Sequence, residues 1–113
     1  MRIIKQSKDF TVSEMARLTM GNSTKLSNLE NQTVDMDSYV VFEDTDRGSG
    51  EVKTVLVLMA DGVKYGTISP TFIKDFMQLA DMYEIAGEPF FRMKVVGGQS
   101  KNGRHFIACE AAE

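Results

Sequence analysis

Tyr65-Gly-Thr-Ile-Ser-Pro-Thr-Phe-Ile-Lys-Asp-Phe76 switches period part-way along, and the switch decides the fold. Val63 to Ile68 reads as a strand, whereas from Ser69 onward the apolar residues recur at helical spacing. Serine caps the free amides of a helix start, and proline at the first helical position loses no needed hydrogen bond. Phe72, Phe76, Leu79, Ala80 and Tyr83, flanked by Ile73 and Met77, form the apolar side, and Lys74, Asp75, Gln78 and Asp81 form the other. Gly87 and Pro89 close the helix, because glycine suits the left-handed end and proline cannot continue the ladder.

Upstream of this stretch, Asp61-Gly62 is a two-residue hairpin signal that joins the Val63 strand to an earlier one, Val52 to Met59. That earlier strand is apolar on both sides and is expected to be central. From Thr33 to Phe42, Val34, Met36, Ser38, Val40 and Phe42 alternate with Asp35, Asp37 and Tyr39, which predicts a strand with one wet face. Glu43 to Gly50 is a polar loop. Near the N-terminus, Thr11-Val-Ser-Glu14 fits a capping box opening a short helix from about Val12 to Met20, with Leu26 and Leu29 as anchors on the core. Downstream of the long helix, Phe90 to Val96 and Arg104 to Glu110 read as two strands joined by the loop Gly97 to Gly103. In the first of them, alternation places Phe91, Met93 and Val95 inward and Phe90, Arg92 and Lys94 outward.

Three strands, a helix and two strands is the element order of a small five-stranded oligonucleotide-binding barrel, an OB-fold. The expectation is a mainly β chain of one domain over residues 1–113, with a helical extension over 1–30 and the barrel over 31–110. The length of 113 residues suits one hydrophobic core, and 42% hydrophobic with 26% charged residues is ordinary for a globular chain. No apolar run approaches the roughly 18 residues of a membrane span, and Met1 to Asp9 does not read as a secretion signal, so the cytoplasm is the expected compartment. Cys109 is the single cysteine and is expected in the core. His105 is the single histidine, so neither a cysteine-rich metal site nor a histidine cluster can form within one chain, and no cofactor is expected.

The net charge of −3 argues against tight non-specific binding of duplex DNA, but the charges are segregated. Asp35, Asp37, Glu43, Asp44, Asp46 and Glu51 crowd one segment, whereas Arg92, Lys94, Lys101 and Arg104 fall within residues 89–109, which hold no carboxylate. An aromatic followed at strand spacing by two cations, as in Phe90, Arg92 and Lys94, suits a single-strand groove, where bases stack on rings and cations meet phosphates. Taken alone, the same pattern is also that of a solvated face with one exposed ring. Lys53, Lys64, Arg92, Lys94, Lys101 and Arg104 are the phosphate candidates, with Lys101 and Arg104 favoured because a glycine-rich hairpin can close over a strand. Tyr39 and Tyr65 are stacking platforms or rim tyrosines, and Phe106 is a platform if the row of His105, Ile107 and Cys109 faces the core. Phe72, Phe76 and Tyr83 read as core.

Gly50-Glu-Val52, Asp61 to Phe76, Gly87-Glu-Pro89 and Ser100-Lys-Asn-Gly-Arg-His-Phe-Ile-Ala-Cys109 resemble the single-stranded DNA-binding proteins of small bacteriophages and of conjugative elements of Gram-positive bacteria. The likeness runs from about Leu26 to Glu110, and its strongest pieces are the strand-turn-helix around Ser69-Pro70 and the Lys-Asn-Gly-Arg hairpin. It implies an OB-fold protein that coats and protects displaced strands during replication or transfer and carries out no enzymatic step. The expected partners are single-stranded DNA and, through oligomers or arrays along the strand, further copies of the chain; neither a membrane nor a small-molecule substrate is expected. Cellular relatives carry a long tail with an acidic tip, whereas this sequence ends at Glu110-Ala-Ala-Glu113, so recruitment through such a tail is not expected.

Two other functions use the same barrel. A protein-interaction module would use the exposed aromatics and eight methionines, and an RNA binder would use the same stacking and phosphate contacts. Enzymatic sites are poorly supported: Gly21-Asn-Ser-Thr-Lys25 and Gly97 to Gly103 lack the order of a phosphate-binding loop, and the acids of residues 35–46 lack the spacing of a calcium loop.

Overall fold

A computed structural model describes residues 1–112. The chain is mainly β, with two sheets and two α-helices. The first sheet has the order β1-β4-β5-β6-β2, from Arg2–Gln6 (β1), Ser38–Thr45 (β4), Val52–Ala60 (β5), Val63–Thr67 (β6) and Thr24–Lys25 (β2). The second has the order β3-β7-β8, from Gln32–Asp35 (β3), Arg92–Gln99 (β7) and His105–Ala111 (β8). Helix α1 spans Val12–Thr19, α2 spans Pro70–Ala86, and a 3-10 turn covers Leu26–Leu29.

Local chemistry fixes the ends of these elements. The Thr11 hydroxyl accepts from the Glu14 amide at 3.2 Å while the Thr11 amide donates to the Glu14 carboxylate at 3.0 Å, so both halves of the capping box are present. Ser69 Oγ accepts from the Phe72 amide at 3.4 Å, Pro70 opens α2, and Gly87 closes it at φ 71°. Asp61 and Gly62 both have positive φ, 53° and 73°, as the tight turn between β5 and β6 requires.

The expected continuous strand from Thr33 to Phe42 is in fact two, and its break links the sheets. The Met36 amide donates to the Phe91 carbonyl at 2.6 Å, on the side of the second sheet, and the next amide, Asp37, donates to Met59 in the first at 2.8 Å. The bend at Met36-Asp37 thus passes the chain from one sheet to the other. Away from it, β5 and β6 extend one sheet and β7 and β8 the other, with no ladder joining β6 to β8. Neither sheet closes into a barrel.

The main core lies between the sheets and α2, where Leu56, Leu58, Phe72, Phe76, Met93 and Val95 are fully enclosed. Truncating a core phenylalanine of this kind costs about 3 to 5 kcal/mol. A second cluster corrects the expected wet face: Leu18 of α1 packs on Val40, Phe42 and Val57, so both sides of β4 are covered. Lys5 of β1 pairs with Asp81 at 2.8 Å and Glu84 at 3.3 Å, tying the N-terminal strand to α2. Cys109 is buried, with its Sγ 3.5 Å from Met93 Sδ, and burial pushes its thiol up to about 12. No helix among the described residues is long and apolar enough to cross a membrane.

Candidate nucleic-acid interface

The outward row of the second sheet brings together the aromatic and basic residues of β7 and β8. Cross-strand register pairs Lys94 with Glu110, Val96 with Ala108 and Gly98 with Phe106, while Ile107 and Cys109 occupy the buried row. Phe106 therefore stands outward. Its ring lies over Gly98 so closely that a Cβ there would sit 2.9 Å from Cζ, and the residue remains 41% exposed. Glycine in the strand at this point is a seat for the ring rather than a turn residue.

β7 runs through Gly97 and Gly98 to Gln99, so the hairpin loop is shorter than residues 97–103 suggested. The Ser100 amide donates to the Arg104 carbonyl at 2.8 Å and the Gly103 amide to Ser100 at 2.9 Å, closing a compact turn. Lys101 and Arg104 project from it, exposed, with no carboxylate partner among the described residues. Phe106 near the start of β8 and Lys101 and Arg104 in the turn before it thus belong to one hairpin tip, an exposed ring and two exposed cations without a carboxylate partner among the described residues.

Comparison with protein-family models, curated proteins and solved structures returned no match. Function has to be read from the site itself.

The other sequence candidates are placed differently. Tyr39 is 6% exposed, with its ring edge-on to Phe76 at 4.9 Å, and burial holds its phenol above the usual range; it is core, not a platform. Tyr65 stands opposite Leu58 and packs against the same core, so its ring is half-buried. Lys64 donates its Nζ to the carbonyls of Arg17 and Met20, satisfying the C-terminal end of α1, and is committed to that structural role. Lys53 is exposed on β5 but stands opposite Asp44.

Phe90 and Phe91 exchange the roles that alternation assigned them. β7 begins only at Arg92, and Phe90, ahead of it, turns into the core, 5.1 Å from the rings of both Tyr83 and Phe76. Phe91 is left 49% exposed, with the Arg92 guanidinium carbon 5.6 Å from its ring centroid. Arg92 itself is held by Asp35 through two hydrogen bonds, Nε to Oδ1 at 2.5 Å and Nη2 to Oδ2 at 3.2 Å. This pairing raises the guanidinium pKa and, chiefly through the hydrogen bond, lowers that of the Asp35 carboxyl. Lys94 is exposed, opposite Glu110 in register.

Three residues absent from the sequence candidates adjoin the site. Glu30 lies over Gly97 and pairs with His105 at the start of β8. Lys25 stands exposed at the end of β2, beside β6. Their local patterns carry no signal of this placement, because it arises from the packing of the N-terminal segment against both sheets.

Proposed function

We propose that this protein binds single-stranded DNA without base preference through the outer face of β7 and β8 and the tip of their hairpin. The observation that carries the proposal is Phe106, an exposed ring seated on Gly98, on the same hairpin tip as the exposed cations Lys101 and Arg104. A stacking platform needs one ring face supported by protein and the other open to a base, and such stacking is worth roughly 1 to 3 kcal/mol per base. The adjacent cations would release counterions from the phosphates, which adds affinity for any sequence.

The topology supports the same reading. If β3 and β4 are two halves of one bent strand, the order β3/β4-β5-β6-α2-β7-β8 is that of the five-stranded oligonucleotide-binding barrel, opened along the β6–β8 seam. In that role the protein coats displaced strands during replication or transfer of a phage or mobile element, and its work is binding rather than covalent chemistry.

Fluorescence anisotropy of a labelled oligothymidine of about 30 nucleotides tests this directly, since that length exceeds the usual site of one barrel. Saturable binding should weaken with salt with a log–log slope of about −0.7 per phosphate contact, and duplex should compete poorly. Absence of binding at low salt would overturn the proposal. Matched RNA is the control for the sugar, and equal affinity would widen the ligand to single strands of either kind.

A further inference from the structure

The end of β6 with β2 along its edge, and the start of β8, frame a cleft of about 630 Å³, within the size range of sites for a single small ligand. Its floor is apolar, with Leu26 at 1% and Ile107 at 7% exposure. Phe106 forms part of one wall, so the cleft is continuous with the proposed stacking face. Lys25 and His105 also line it, together with hydroxyls including Ser27 and Thr67, and no carboxylate does. His105 is already engaged by Glu30, which leaves Lys25 as the unpaired cation among the described residues lining the cleft.

We infer that this cleft receives one unstacked nucleotide of the bound strand, with its base against Phe106 and Ile107 and its phosphate toward Lys25. The inference rests on the single-strand reading and goes beyond it, because it assigns a nucleotide site to the gap between β8 and the β6–β2 pair. Charge decides the class of occupant: a lining with a lysine and several hydroxyls but no acid is complementary to a phosphodiester and not to a basic peptide. Cost points the same way, since a base taken from a single strand has no pairing to lose on leaving its neighbours. Glu30 then acts as a local competitor, a carboxylate on the His105 imidazole that an incoming phosphate would otherwise meet.

The test is photocrosslinking of an oligothymidine carrying one thiothymidine, with the peptide adduct located by mass spectrometry and binding followed in parallel by anisotropy. Adducts within residues 23–27 and 105–107 are expected. Lys25→Gln should abolish the adducts within residues 23–27 and reduce the salt slope by roughly 0.7. A strand that binds, yet crosslinks only to residues 91–104 and keeps its full salt slope in Lys25→Gln, would overturn the cleft assignment while leaving single-strand binding standing. A strand that gives no anisotropy change at low salt would remove both. Glu30→Gln provides a second variant with the opposite sign: it should tighten binding severalfold, and unchanged or weaker binding in a folded variant would count against the cleft.

Discussion

The root and the tip of the β7–β8 hairpin carry the same residue types and differ in what faces them. At the root, Phe91 and Arg92 are adjacent, but the ring is already covered by the guanidinium, and the guanidinium is held by Asp35. Lys94, two residues on, stands opposite Glu110. At the tip, Phe106 rests on Gly98 and stays 41% exposed, and Lys101 and Arg104 meet no carboxylate among the described residues. An aromatic next to a cation is therefore not yet a nucleic-acid site. On the proposed reading, what matters is whether an acid reaches the cation: Asp35 of β3 holds Arg92 at the root, whereas at the tip the nearby carboxylate of Glu30 pairs with His105 and not with Lys101 or Arg104.

The largest effect that would sharpen this comparison is on stacking. Phe106→Ala should weaken oligothymidine binding by roughly 1 to 3 kcal/mol, a factor of about 5 to 150, while Phe91→Ala leaves it within error. Equal losses at the two rings, measured by anisotropy, would break the distinction between root and tip. Next in size is the electrostatic difference. Lys101→Ala combined with Arg104→Ala should reduce the salt slope by roughly 1.4, two single-strand contacts, whereas Lys94→Ala should barely move it.

A smaller effect tests the seat itself. Gly98→Ala places a methyl group 2.9 Å from Phe106 Cζ, so the ring must tilt; part of the stacking affinity should go while the thermal midpoint changes little. If affinity in Gly98→Ala matches the parent, the ring position does not matter. The smallest effect concerns acid sensitivity at the root. Because Arg92 holds the Asp35 carboxyl below its ordinary value near 3.8, the pair stabilises the fold above that pH. The contribution is lost as pH falls through the lower folded-state value. Asp35→Asn should therefore be less stable than the parent at neutral pH and converge with it in acid, as read by thermal unfolding at both conditions. A gap that persists unchanged in acid would assign the destabilisation to something other than the ion pair.

How much of this was legible in the chain depended on how local the cause was. The capping box at Thr11 and Glu14, the Ser69-Pro70 start and Gly87 end of α2, and the Asp61-Gly62 turn are each set by residues a few positions apart, and all appear as expected. The bend at Met36-Asp37 was not legible, because two successive amides find partners in different sheets far along the chain. β1 and the two-residue β2 form only because β4 and β6 offer them an edge. Of the candidate site, the hairpin cations and Phe106 were visible as a run without acids. The loss of Arg92 to Asp35, and of Lys64 to the end of α1, reflects contacts across 57 and 44 to 47 residues, which no spacing rule reports. The exchange of Phe90 and Phe91 has a local origin, in that alternation was extended past the true start of β7.

Cys109 has a consequence for measuring motion. Burial raises the thiol well above its ordinary range, and it sits in the inner row of β8 against the core, so alkylating reagents meet it when the strand opens. As the chain's only thiol, it makes labelling kinetics in the unmodified protein a clock for the opening of the second sheet, one that bound ligand would slow if it clamps β8 in place.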